Sequence, residues 1–446
     1  MKKIQYWERY KMCKATELRE LINVFDANPL SSSDKLEDFY VDASEARGED
    51  SAGKLIYLLQ NSNRQDKKFL FMGHTGCGKS TELFKVAEKL KDKYVVIHYS
   101  IDEYVDFLAT SYIDVIFSIL QNISVAAAKN NVRINDDVLR GIYNYWKDEQ
   151  VVTFTDDEKV KLDGEHSIGG SFFDIFTAKI KTFLEMSSSL KQETKRKIEP
   201  SFPLLMDKIN AFIADFSKKI APKKLLVIID DLDKLALSQA KDIFIDHCRN
   251  MTSLNMNIVY TFPIYLFYFP EFRYIESNFD NTILLSMIKV RTRNGEQYEP
   301  GIQTLEKIIF RRAETKLFEE GVVRYVIEKS GGCIRTAFTI LHEATIIAEL
   351  NYMRTNSIPE ANRVITIDDA KLGYRPWKSS LERAIRKEHI EMLQEVHKNK
   401  KPVIDRDNVL VMDLLRSLAV IEYNGERWCD LNPAIEDYLQ ELDLLQ

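Results

Sequence analysis

Eight consecutive residues, Gly73-His74-Thr75-Gly76-Cys77-Gly78-Lys79-Ser80, bring three glycines, a lysine and a hydroxyl into one short loop. Glycines let a chain curl tightly enough for successive backbone N–H groups to face a single anion. A lysine directly after them can neutralise terminal phosphates, and a serine hydroxyl at the next position can reach a divalent cation. The pattern G-x-x-x-x-G-K-[ST] is met at every fixed position, so the loop is expected to hold ATP with Mg²⁺. Thr81 continues the motif and is counted among the nucleotide-binding residues. A plain glycine turn between strand and helix would need neither Lys79 nor Ser80.

Such a loop needs a carboxylate on the far side of the cation. The run "KKLLVIIDDLDKL" (Lys223–Leu235) supplies one at the end of a continuous apolar strand. Asp230 is expected to join Ser80 on Mg²⁺, directly or through a water, and Asp231 to orient the attacking water. Asp233 is a candidate N-cap for the helix that follows. Upstream, Arg47 reads either as a nucleotide contact or as a solvent-facing arginine at a helix start.

The elements that must position these residues are legible around them. "KKFLFMG" is a short buried strand, and "KSTELFKVAEKLKDK" has apolar residues at helical spacing. Further strands are expected over Lys93–Ile101, in "NMNIVYTFP" and in "NTILLSMIKV". Strands alternating with helices predict an α/β fold, a parallel sheet covered by helices on both faces. Residues 1–66 read as a lead-in, with an extended or loop segment around Pro29 and its serines, after which "FYVDASEARGEDSAGKLIYLL" moves into a helix ahead of the glycine-loop strand. Residues 67–300 form the ATP-binding core, with a helical insertion over about 112–221, interrupted by polar, less regular sequence at Val151–Gly170 and in "KQETKRKIEPSFP". A helical lid spans 301–360. Over 367–446, helices, a hairpin turning at Asn424-Gly425 and a last helix opened by Pro433 predict a winged helix-turn-helix.

Composition narrows the class. The chain has 446 residues, 45% hydrophobic and 29% charged, with a net charge of -6, so no global basic field draws in nucleic acid. Five scattered cysteines without a CxxC pair argue against a disulfide framework or a zinc site, and fit a reducing cytoplasm. The N-terminus lacks the apolar stretch of a signal peptide. The most apolar run, Ile258–Phe272, holds two prolines and falls short of the ~20 residues a spanning helix needs, so no membrane contact is expected.

With these motifs in order, the chain resembles the AAA+ and STAND P-loop ATPases, near their origin-recognition branch. "FYVDASEAR", "GHTGCGKSTEL" and "IIDDLDKL" are similar in particular to bacterial STAND-type ATP-binding proteins, many linked to phage defence or other conflict systems. The resemblance implies that Thr261 stands where a polar residue senses the γ-phosphate, with an N-cap ahead of "FPIYLF" as the other reading. It implies that Arg335 is a second sensor on the lid, against a surface arginine after a glycine cap. It offers Arg273, Arg311 or Arg312 as a finger toward a neighbouring subunit. One departure is Asp231, where motors of this type carry glutamate; the shorter carboxylate implies slow hydrolysis.

The expected function is therefore a slow ATPase acting as a switch, binding ATP or ADP, forming a homo-oligomer and serving a protein partner or separate effector chain. The alternative is a loader or transposition-type regulator that reads duplex DNA through the winged helix. Residues 378–401 carry seven basic against four acidic side chains, a modest excess for a DNA-reading surface. A small-molecule kinase is disfavoured by the long insertion and the C-terminal helices.

Overall fold

The computed structural model describes residues 13–31, 33–107, 109–163, 170–355, 359–401, 409–423 and 428–445. Seven strands are present among them: β1 (Lys68–Met72), β2 (Tyr94–Ser100), β3 (Lys224–Asp230), β4 (Asn257–Phe262), β5 (Asn281–Leu284), β6 (Val420–Tyr423) and β7 (Trp428–Leu431). The first five form one sheet in the order β2-β3-β4-β1-β5, and every pairing in it is parallel. This is the P-loop α/β sheet expected from the sequence. The fifth strand stops at Leu284, so only the first part of "NTILLSMIKV" pairs.

Alternation along the strands sends neighbouring side chains to opposite faces. Phe69, Phe71, Leu226, Ile228, Val259 and Ile283 pack beneath the helices Ser51–Gln60 and Lys79–Leu90. Leu70, Met72, Val227, Ile229, Ile258 and Tyr260 face the other way, into a core shared with the insertion. Its helices Tyr112–Lys129, Asp136–Asp148, Gly170–Leu184 and Phe202–Lys219 bury Phe117, Trp146, Phe183, Phe212 and Phe216 there. The insertion therefore covers one face of the sheet.

Two stretches expected to be irregular are partly helical. Asp156–Asp163 and Ser188–Ile198 are helices of low hydrophobic content, the second burying only Thr194 and Ile198. Their surface position removes the apolar periodicity that would have marked them. The lead-in carries the helix Ser33–Phe39 in the stretch after Pro29 expected to be extended or loop, and further short helices at Leu21–Val24 and Ser44–Arg47. Its Leu18, Leu21, Val24 and Phe25 join the core of the helices Glu299–Arg312, Val322–Ser330 and Ile334–Thr355. Ala15 N–H donates to Arg312 O at 2.8 Å, tying the start of the described chain to these helices.

The C-terminal unit comprises the helices Ile367–Glu382, Ile390–Asn399, Val409–Arg416 and Pro433–Glu441 with the antiparallel pair β6–β7. The Asn424-Gly425 turn lies outside the described residues. Among the described residues, no helix is long and apolar enough to cross a membrane.

Candidate functional site

β1 is wholly buried between β4 and β5 and ends at Met72, so the glycine loop leaves an interior strand of the sheet and feeds directly into the helix Lys79–Leu90. Gly76 and Gly78 adopt φ of +81° and +106°, a region that favours glycine. Space is as restrictive as conformation: a Cβ on Gly76 would lie 2.7 Å from Arg335 Cβ and 2.9 Å from Cys333 Sγ. The second side of the loop is held by Arg47, which is buried and donates to the carbonyls of Ser286 and, at 2.7 Å, Cys77. Burial removes the solvent-facing reading of Arg47. Cys77 itself is fully buried.

Lys79 is 6% exposed, and its Nζ donates to the carbonyls of Gly73 and His74, both at 2.9 Å. It also pairs with Asp233 Oδ2 at 2.9 Å. Burial alone would lower its pKa, but Asp233 first, with Cys77 and Asp230, together outweigh that and hold it above the ordinary lysine value. Asp233 is therefore not a free N-cap: it sits inside the 3-10 turn Leu232–Lys234 and is spent on Lys79. Its other oxygen, Oδ1, is buried without a hydrogen-bond partner.

Asp230 ends β3 and is buried, its Oδ1 accepting the N–H of Asp231 at 2.8 Å. Burial first, then the charges of Asp231 and Asp233, raise its pKa; a hydrogen bond from Ser80 opposes them. Asp231 adopts φ of +67°. Its Oδ2 accepts from Ser100 Oγ at 2.6 Å, and its Oδ1 meets Lys234 Nζ at 2.5 Å. The three aspartates offer ligand oxygens within 4.8 Å of one another. A cluster of hard carboxylate oxygens with one orphaned acceptor, beside the Ser80 hydroxyl, fits a Mg²⁺-class cation.

Thr261 is fully buried near the end of β4, where its hydroxyl donates to Ile229 O at 3.2 Å and accepts the N–H of Leu232 at 2.9 Å. That braces the turn carrying Asp231 and Asp233. The cap position ahead of "IYLFY" belongs to Pro263, which removes the N-cap reading of Thr261. Arg335 follows the first residue of the lid helix, and its N–H donates to Gly76 O at 3.3 Å. Its half-buried side chain lines the cleft over the loop. Of the finger candidates, Arg312 is excluded by burial: its guanidinium stacks over Phe39 and Phe338 and donates to Ile308 O at 2.9 Å. Arg273 and Arg311 are exposed, Arg311 donating to Asp38 O at 3.1 Å.

A single cleft connects these groups. One end is built from Thr75, Gly76, Gly78, Lys79, Ser80, Asp230 and Asp233; the other from Leu30, Phe39, Ile308 and Phe338. Asp233 was expected only as an N-cap, not as the partner of Lys79, and the apolar end was not singled out from the sequence. Its walls are ordinary hydrophobic residues from two distant segments, and nothing local distinguishes them from core.

His74 turns away from the cleft. It is 2% exposed, and its Nε2 accepts the backbone N–H of Glu422 in β6 at 2.8 Å. Burial, and secondarily the Lys79 charge, push its pKa down to about 3, against a smaller opposing effect of the Leu415 backbone. In the unfolded chain it titrates near ~6.5, so the stability this site lends is complete above that pH and is lost as pH falls from 6.5 toward 3. His74→Gln keeps an acceptor at similar reach but does not titrate. The unaltered protein is expected to lose about 2 kcal/mol more than His74→Gln between pH 6.5 and 5, measured by denaturant unfolding. His98 is also buried, with its pKa lowered to about 4, and is common to both proteins.

No protein-family model and no curated protein matches the sequence. Among solved structures, the chain is similar to the ORC2 protein of Aeropyrum pernix in its ADPNP-ADP complexes, at 11% identity over 95% of this chain and 98% of that one, with a TM-score of 0.41. It is similar to Cdc6p from Pyrobaculum aerophilum at 11% identity, over 94% and 98%, with a TM-score of 0.34. It is also similar to the ORC1 protein of Aeropyrum pernix in complex with DNA at 12% identity, over 91% and 94%, with a TM-score of 0.38.

Proposed function

We propose that the protein is an ATP-controlled switch: it binds ATP with Mg²⁺ in the cleft, hydrolyses it slowly, and passes the nucleotide state to its C-terminal unit. The observation that carries this reading is the placement of His74. Its carbonyl holds Lys79, the phosphate-binding lysine, while its imidazole accepts from Glu422 in β6. Any movement of Lys79 or of the loop backbone is felt one hydrogen bond away by the C-terminal unit. The same unit grips the lid turn, where Tyr423 Oη donates to Gly331 O at 2.9 Å and Lys329 pairs with Asp437 at 2.7 Å.

In this mechanism the glycine loop presents N–H groups to the phosphates and Lys79 exchanges Asp233 for phosphate oxygens. We assign Mg²⁺ to Ser80 and Asp230, where it would neutralise phosphate charge. Arg335 closes over the loop from the lid. We assign water orientation to Asp233 in place of Asp231, because both oxygens of Asp231 are engaged by Ser100 and Lys234 while Asp233 Oδ1 has no partner. A carboxylate that must leave a buried ion pair before it can act suits slow turnover.

The C-terminal unit is read as a winged helix that docks protein: a further copy of this chain, or a separate effector in bacterial signalling or anti-phage defence. Neutralisation of three of its basic residues supports docking over duplex reading. Lys378 pairs with Glu441, Arg386 with Glu388, and Lys400 with Asp430. The deciding experiment is steady-state ATP hydrolysis with and without duplex DNA, with Lys79→Ala as the blank. Slow turnover indifferent to DNA is expected. Strong stimulation by duplex would overturn the docking assignment and make the protein a DNA-acting loader or regulator.

A further inference from the structure

A nucleotide with its phosphates on the loop and its base at the apolar end of the cleft must lay its sugar along the wall between them. Tyr40 follows Phe39 of the apolar end, Thr81 and Glu82 follow Ser80 of the loop end, and all three line the cleft. Glu82 lies in the first turn of the helix Lys79–Leu90, three residues after Lys79, so the two side chains leave the helix on one side. It is 7% exposed, a buried carboxylate with no part in phosphate or metal binding. Tyr40 Oη stands 3.2 Å from each of its oxygens, and Lys85 Nζ donates to the same hydroxyl at 2.6 Å. Leu30 N–H donates to Thr81 Oγ1 at 3.3 Å, so the lead-in closes over this stretch and sets the height of the cleft there.

The remaining capacity of this group decides what it can take. A carboxylate has about four acceptor sites, and the one proton of Tyr40 fills one of them. Lys85 Nζ, at 3.8 Å from Oε2, stands beyond direct hydrogen-bond distance. Acceptor sites on a carboxylate facing a cleft call for O–H donors on the ligand, and a ribose offers two on adjacent carbons. Acidic side chains take ribose hydroxyls in the same way in dinucleotide sites. A deoxyribose lacks the 2′ donor and would leave the buried oxygen unsatisfied.

We propose that Glu82, oriented by Tyr40, accepts from the ribose 2′-hydroxyl and makes the cleft select ribonucleoside over 2′-deoxyribonucleoside triphosphates. This rests on the cleft being a nucleotide site. The test is equilibrium binding of ATP and 2′-deoxy-ATP, by calorimetry, to the full chain and to Glu82→Met, which keeps the length of the side chain and removes its acceptors. The unaltered protein is expected to prefer ATP about tenfold or more, the scale of a hydrogen bond to a charged group. In Glu82→Met the ratio falls to about one, with the loss falling on ATP. Glu82→Gln, neutral but still an acceptor, is the second variant should Glu82→Met fail to fold, and is expected to keep a ratio of only about threefold. Equal affinity of the unaltered protein for both nucleotides, or a ratio that survives both substitutions, would overturn the proposal while leaving the nucleotide site intact. If the unaltered protein binds neither, the nucleotide reading itself fails, and this proposal with it.

Discussion

Lys79→Met is expected to lower ATP affinity by about 100-fold or more, the scale of two charge-assisted contacts to phosphate. It is also expected to destabilise the protein without nucleotide. Lys79 is the buried counter-ion of Asp233, which stands in a cluster with Asp230 and Asp231. Breaking a buried pair by removing one partner leaves an uncompensated charge and costs about 3–5 kcal/mol. The double variant Lys79→Met, Asp233→Asn removes both charges, and most of that stability should return while ATP binding stays lost. Denaturant unfolding together with calorimetric ATP titration separates the two effects. If Lys79→Met unfolds at the same denaturant concentration as the unaltered protein, the ion pair does not hold the empty site together.

The second large effect falls on turnover. With water orientation at Asp233, Asp233→Asn is expected to slow single-turnover hydrolysis about 100-fold, the lower range of general-base contributions. Asp231→Asn is expected to slow it by less than about tenfold, since Asp231 acts through Ser100 and Lys234 as a brace. Affinity should move the other way in Asp233→Asn: the competitor for Lys79 is gone, so ATP binds more tightly. A merely structural aspartate would not raise affinity while lowering rate. Were Asp231→Asn to abolish hydrolysis and Asp233→Asn to leave it, the assignment would revert to the residue directly after Asp230.

These expectations show where the chain was readable. The glycine loop, Lys79 and Ser80 lie within eight residues, so their geometry follows from local backbone rules, and the loop sits between β1 and a helix as the apolar spacing implied. Asp230 was equally plain, ending an unbroken apolar strand. Surface helices such as Ser188–Ile198 were missed because a polar helix leaves no apolar period to read. In the stretch after Pro29, expected to be loop, the helix Ser33–Phe39 has only seven residues, too few to show an apolar period.

By itself, then, the sequence determined the chemistry of one end of the cleft and the class of sheet that carries it. Which carboxylate meets Lys79 was decided only in three dimensions. Sheet order β2-β3-β4-β1-β5 sets the end of β3 one strand away from the glycine loop, and the turn after β3, braced by Thr261, swings Asp233 across while tying Asp231 back to Ser100. Three aspartates within four residues look alike in the chain. Their backbone angles and neighbours make them a buried acid, a brace and a counter-ion. The apolar end of the cleft, the Tyr40–Glu82 pair and the His74–Glu422 bond are likewise contacts between residues distant in sequence. Local periodicity records only which side of an element is buried. What that side is buried against depends on how the elements pack, and that packing is where this protein's site was completed.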